Sequence, residues 1–150
     1  MAEQHYQAAE LAGQKEKGHF IRGLIAYGLG KAAFSRGDNQ AACRHFRRSL
    51  EEAVKQGNQH DIQFCLEALA ALNAALPEKA AITVRLGGAV KKLRRNLIEW
   101  DMTIYFLASF DLETVLAPIR STLGEIEFDR LYTEGLALTL EQVVALALEE

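Results

Sequence analysis

Proline is nearly missing from this 150-residue chain: only Pro77 and Pro118 occur. With so few breakers, long helices are permitted almost anywhere. No stretch of Val, Ile, Thr and Tyr alternates with polar residues, so half-buried strands are not expected. Two cysteines, Cys43 and Cys65, are too few for a metal framework or a disulfide scaffold. Each falls in an expected helix among apolar and small residues, which reads as two free, buried or half-buried thiols in a reducing cytoplasm. No uncharged apolar run approaches ~18 residues, so no membrane-spanning helix is expected. The first twenty residues carry Glu3, His5, Glu10, Lys15, Glu16 and Lys17, which leaves no room for a secretory apolar stretch.

Catalytic patterns are scarce as well. His5, His19, His45 and His60 do not pair with another ligand at metal spacing on one helix face. Cys43 and His45 stand two apart and point in different directions on a helix. A Cys65–His45 nucleophile pair would have to be assembled from separate helices. No GxxxxGK[ST] loop and no helix-turn-helix recognition unit is found. The expectation is a protein that is not an enzyme and carries no metal and no cofactor.

What the chain does contain is helix-forming residues. Ala, Leu, Glu, Gln, Lys and Arg dominate, with 49% hydrophobic and 25% charged residues overall. The fold class is therefore all-α. The net charge of −3 hides a split. Residues 1–95 hold 15 Lys/Arg against 9 Asp/Glu, and residues 96–150 hold 2 against 11. Opposite charge at the two ends can draw copies of the chain together, which makes a homo-oligomer the second reading of its role.

The clearest organisation lies in 25–56. Residues 19–36 read as a helix with Phe20, Leu24, Tyr27 (or Ala26), Leu29 and Ala33 on its apolar face. Its glycines Gly23, Gly28 and Gly30 each cost about 1 kcal/mol relative to Ala, and close helix–helix approach is the usual compensation. Gly37 reads as the C-terminal stop and Asp38 as the next N-cap. A second helix over 39–56 then carries Ala42, Phe46, Leu50 and Val54 inward, and Gly57 ends it. A third, over 60–75, starts at Asp61 as N-cap and uses Phe64, Leu66, Leu69 and Leu72. Pro77 opens a fourth over 78–95, with Ala81, Val84 (or Leu86), Gly88 and Val90 along it.

The two pairs, 19–57 and 60–95, superpose at an offset of 40: Leu24 on Phe64, Ala26 on Leu66, Leu29 on Leu69, Gly30 on Ala70. Helical self-similarity at a period of roughly 34 to 45 residues marks an α-solenoid. Leu29-Gly30, Gly37-Asp38, Ala42 and Phe46 follow the tetratricopeptide (TPR) pattern, with Ala33 in place of its aromatic and Val54 in place of its closing proline. An earlier helix over 2–14 resembles half of another repeat, so the chain is expected to be part of a longer protein. Residues 96–150 are expected to form a C-terminal helical cap. In it, Trp100, Tyr105, Phe106 and Phe110 cover an apolar end or line a pocket. Asp111 caps a helix that Pro118 kinks or leaves with a hydrogen-bond gap, and Gly124 ends it. Ile126 (or Phe128), Leu131 and Tyr132 face inward from the next helix, which Gly135 ends. Thr139 and Gln142 form a capping box before the last. The whole reads as one domain over 1–150, a TPR-like α-α superhelix.

The tail carries a resemblance. Leu123-Gly124, Phe128, Tyr132, Glu134-Gly135 and the run from Leu138 to Leu148 resemble the C-terminal end of large bacterial ATP-binding transcriptional regulators. Those are the LuxR-type and SARP-type proteins and related cyclase-fused signalling proteins. CLEALAALNAA over 65–75 looks like a helix of that family, though Leu76 leads straight into Pro77-Glu78 where the family has a glycine-containing turn. The resemblance implies a non-catalytic sensor or scaffold domain of a regulator whose ATPase and output domains lie elsewhere.

Function then rests on surface recognition of a protein or peptide partner. In stacked helix pairs the first helices line the concave face. This singles out Arg22, Tyr27 and Lys31 from one pair, and Gln63, Glu67 and Asn73 from the next. The basic runs at 44–48 and 91–95 read as solvated helix faces, since Phe46 and Leu93 turn inward; no direct nucleic-acid binding is expected.

Overall fold

The computed structural model describes residues 18–96 and 110–149, with the side chains of residues 19 and 20 excepted. The expected helix over 2–14, the side chain of Phe20, and Trp100, Tyr105 and Phe106 lie outside the described residues. Seven α-helices and one 3₁₀ turn make up the described structure: α1 (Gly18–Ser35), α2 (Asn39–Gln56), α3 (Gln59–Asn73), the 3₁₀ turn Pro77–Lys79, α4 (Ala80–Asn96), α5 (Leu112–Leu123), α6 (Glu125–Leu136) and α7 (Leu140–Leu148). The described residues contain no strand. None of the described helices is by itself long and apolar enough to cross a membrane. Two compact units divide the chain, one up to Cys65 and one from Leu66 onward, so α3 gives its first half to one and its second half to the other.

In the first unit, α1 and α2 form a tight pair. Gly37, at φ +77°, supplies the left-handed residue between them. The Asp38 side chain accepts from Ala41 N at 3.1 Å, which satisfies one of the free N–H groups that open α2. Gly57, at φ +66°, ends α2 by donating its N–H to the Ala53 and Val54 carbonyls. The close approach rests on Gly30: a Cβ there would stand 2.6 Å from the Phe46 ring. Ile25, Ala26, Leu29 and Ala33 of α1 are buried, as are Ala42, Phe46, Leu50 and Ala53 of α2.

Leu24 and Val54, expected inward, are 48% and 42% exposed. The rest of each expected face, Ala26, Leu29 and Ala33 in α1 and Ala42, Phe46 and Leu50 in α2, is buried, and at these two places the neighbouring Ile25 and Ala53 are buried instead. The start of α3 differs too. Asn58, not Asp61, caps it: Asn58 Oδ1 accepts from Asp61 N at 3.2 Å, and Asn58 Nδ2 donates to the Asp61 carboxylate at 2.9 Å. Asp61 therefore sits in the third helical position and returns the bond.

In the second unit, Pro77 opens the 3₁₀ turn that leads into α4. The core is Val84, Leu116, Ile119, Phe128 and Leu131, drawn from α4, α5 and α6. Helices α4 and α6 cross almost backbone to backbone. A Cβ on Gly88 would collide with the Tyr132 carbonyl, and one on Gly135 with the Arg85 carbonyl. Gly135 is thus a contact residue inside α6 and not its stop; α6 continues to Leu136. Leu116, Ile119, Phe128 and Leu131, from the segment expected as a cap, pack with Val84 of α4 in this cluster. Pro118 does not end α5, which runs unbroken from Leu112 to Leu123. Its ring is exposed and lies well past the first turn. Gly124, at φ +85°, makes the corner into α6. There Phe128 takes the buried place and Ile126 is 90% exposed. The Thr139–Gln142 capping box opens α7 as expected.

Candidate functional site

Of the six residues singled out for partner contact, Gln63 and Glu67 are buried and the other four are half-buried. Tyr27 stands on α1 with its ring 5.4 Å from that of Phe46 on α2 and 6.4 Å from that of Phe64 on α3. The Gly30–Phe46 contact explains why: α2 comes so close that the Phe46 ring lies beside Tyr27 instead of beyond it. Lys31, one turn further on, occupies the same side of α1. Both are half-buried, so each keeps part of its side chain in water. Arg22 is half-buried as well but lies about 140° round the helix from Tyr27.

Gln63 and Glu67 are interior, 2% and 0% exposed. Neither can meet a partner from where it stands. Glu67 instead binds Arg94 of α4: its Oε1 accepts from Nε at 2.9 Å and from Nη2 at 2.5 Å. Its Oε2 accepts from the Phe110 N–H at 3.3 Å, just before α5 begins. One buried carboxylate thus joins α3, α4 and the lead into α5. Asn73 is half-buried at the end of α3, where its carbonyl accepts from Leu76 N at 3.0 Å and shapes the turn before Pro77. Within the first unit, Tyr27 and Lys31 form a half-buried pair one turn apart on α1.

A second polar chain crosses the first unit. Cys65 donates its thiol to Ser49 Oγ at 3.2 Å, and Ser49 donates to the Gly23 carbonyl at 2.7 Å. Burial drives the Cys65 thiol up to about 12, and the nearby Asp61 charge adds to this against the Ser49 hydrogen bond. A thiol so placed stays protonated at neutral pH and is no nucleophile. It is not bonded to His45. Both cysteines are free, Cys43 half-buried and Cys65 buried. Among the described residues no group of three or more His, Cys, Asp or Glu side chains converges as a metal site would require.

The surface of the second unit is laced with ion pairs. Arg130 binds Glu127 at 2.6 Å and also Glu134, and Arg85 binds Glu134 at 2.8 Å. The hydrogen bond from Arg130 holds Glu127 below the usual carboxylate range. Asp111, which caps α5, is lowered by its bonds to the Thr114 hydroxyl and N–H. Sequence reasoning missed the inward turn of Glu67. The available signal was its place in the run Leu66, Ala68, Leu69, Ala70, where an acid surrounded by apolar residues calls for a buried partner.

No family profile, curated protein or solved structure matches the chain.

Proposed function

We propose that the chain is a non-catalytic, TPR-like interaction domain that holds a protein or peptide partner for a bacterial transcriptional or signalling regulator. The observation that carries this is the Tyr27–Lys31 pair. An aromatic side and a cation stand one turn apart on α1, partly open to water, on a helix pair locked by Gly30 against Phe46. A rigid helix presenting such a pair is suited to recognition, because little order has to be gained on binding. The superhelical stacking of pairs and the regulator context belong to this reading and rest on the offset of 40 residues and the tail resemblance.

The test is comparative co-purification with the full chain as bait. Lys31→Glu is expected to release a partner that the unaltered chain retains, with no change in helicity by circular dichroism. A partner held equally by both removes Lys31 from the contact surface. An upstream P-loop ATPase in the same reading frame supports the regulator context; its absence there counts against it.

A further inference from the structure

Past the Gly88–Gly135 crossing, α4 carries Lys91 and Arg95, which lie one turn apart on one side of the helix. Gly88 abuts the Tyr132 backbone, and Lys91 continues along that side: its Nζ is 5.9 Å from the Tyr132 ring centroid. Tyr132 stacks on Phe128 with centroids 5.8 Å apart and planes 19° apart. The Arg120 guanidinium of α5 lies 4.4 Å from the Phe128 centroid. Each of the two stacked rings thus has a cation close to it. Burial raises the Tyr132 phenol, while the charges of Arg95, Arg120 and Arg94 pull it back and Glu113 adds to the rise.

Their partners separate these cations. Arg94 is committed to the buried Glu67. Arg120 is shared loosely between Glu125 at 3.5 Å and Asp129 at 3.4 Å. Lys92 donates to the Leu138 carbonyl at 3.4 Å. Lys91 and Arg95 are exposed and have no carboxylate partner among the described residues. Residues 66–96 as a whole hold six Lys/Arg against two Asp/Glu.

We propose that the face formed by Lys91, Arg95 and Arg120 around Tyr132 docks an acidic segment of a partner protein. Two carboxylates of an Asp/Glu-rich stretch pair with Lys91 and Arg95, and their methylene stems lie on the Tyr132 ring. The proposal rests on the partner-binding reading above and adds the chemistry of the partner. The surface does not suit nucleic acid. Lys91 and Arg95 span roughly 6 Å of helix, whereas phosphate-tracking proteins engage on the order of six to ten phosphates. Glu125 and Asp129 pair with Arg120, which keeps the positive face short.

A fluorescein-labelled hexaglutamate peptide, followed by anisotropy with the full chain, tests this. Saturable binding is expected at about 20 mM salt, weakening at about 300 mM as the charges are screened. Lys91→Glu with Arg95→Glu is expected to lower affinity by tenfold or more, equivalent to about 1.4 kcal/mol. Lys91→Gln with Arg95→Gln should give a smaller loss in the same direction. Both positions are exposed, so helicity is expected to be unchanged. Lys55→Gln, at an exposed lysine of α2, should leave peptide binding as it is. Equal binding by the reversed variant, or tighter binding of an oligothymidine of equal charge, overturns the proposal. A partner that depends on Lys31 but ignores Lys91 and Arg95 keeps the partner-binding reading and overturns this site.

Discussion

Single residues settle several chemical questions. The Cys65 thiol, held near 12 by burial and bonded to Ser49, is expected to resist alkylation in the native protein. Iodoacetamide at about pH 8 should label the half-buried Cys43 alone, with a second adduct by mass spectrometry only after denaturation. Native labelling of both would mean that Cys65 is not shut in. Glu67 gives a contrast. Cutting it to Ala removes the buried carboxylate that Arg94 and the Phe110 N–H both bind, and a loss of about 3 kcal/mol is expected in urea unfolding. Glu67→Leu combined with Arg94→Leu removes both charges and should cost far less. If the two variants lose equally, the pair is not the reason for the effect.

Helix ends were the most legible elements. Gly37, Asp38, Gly57, Gly124 and the Thr139–Gln142 box all stand where their local chemistry puts them, because a cap is decided within a few residues. Asp61 misled because Asn58, three residues earlier, has the same capping chemistry and the sequence does not rank them. Helix faces were legible to within one residue. Leu24 and Val54 are as apolar as their buried neighbours Ile25 and Ala53, or more so, and spacing alone does not choose between adjacent positions. Two outcomes follow for α5. Pro118→Ala restores an N–H and relieves the ring, so the exposed substitution should stabilise the protein by about 1–3 kcal/mol in thermal or urea unfolding. Asp111 has a folded-state value below its ordinary 3.8. Its cap therefore contributes fully above the unfolded value, and the contribution is lost as pH falls through the lower folded one. Amide exchange at Thr114, corrected for intrinsic rates, should accelerate only in that acid range, and an Asp111→Asn variant should flatten the profile.

For the molecule as a whole, class was legible and topology only in part. An excess of helix formers with two prolines leaves little alternative to an all-α fold. The first helix pair was visible because its contacts are local in sequence. The pairing of α4 with α6 was not, because it joins Arg85 and Gly88 to Gly135 and Tyr132 across the intervening residues, and a lone glycine inside a helix looks like a stop. The burial of Gln63 and Glu67 was not legible, because periodicity does not say which polar residue has a buried mate. Adding a methyl group at the crossing tests the division into units. Gly135→Ala is expected to raise hydrogen exchange across α4, α5 and α6 while leaving the α1–α2 pair closer to its original protection. A uniform rise throughout 18–149 would mean that the two units open as one.

The Gly88–Gly135 contact also bears on ancestry. At that crossing each glycine is required by the other chain segment's main-chain atoms, which no change of side chain elsewhere can move aside. Core positions such as Leu116 or Ile119 can drift among similar apolar residues as long as volume is kept. This pair cannot. Homologues too diverged to be found by overall identity should still keep both glycines at the matching places in their fourth and sixth helices.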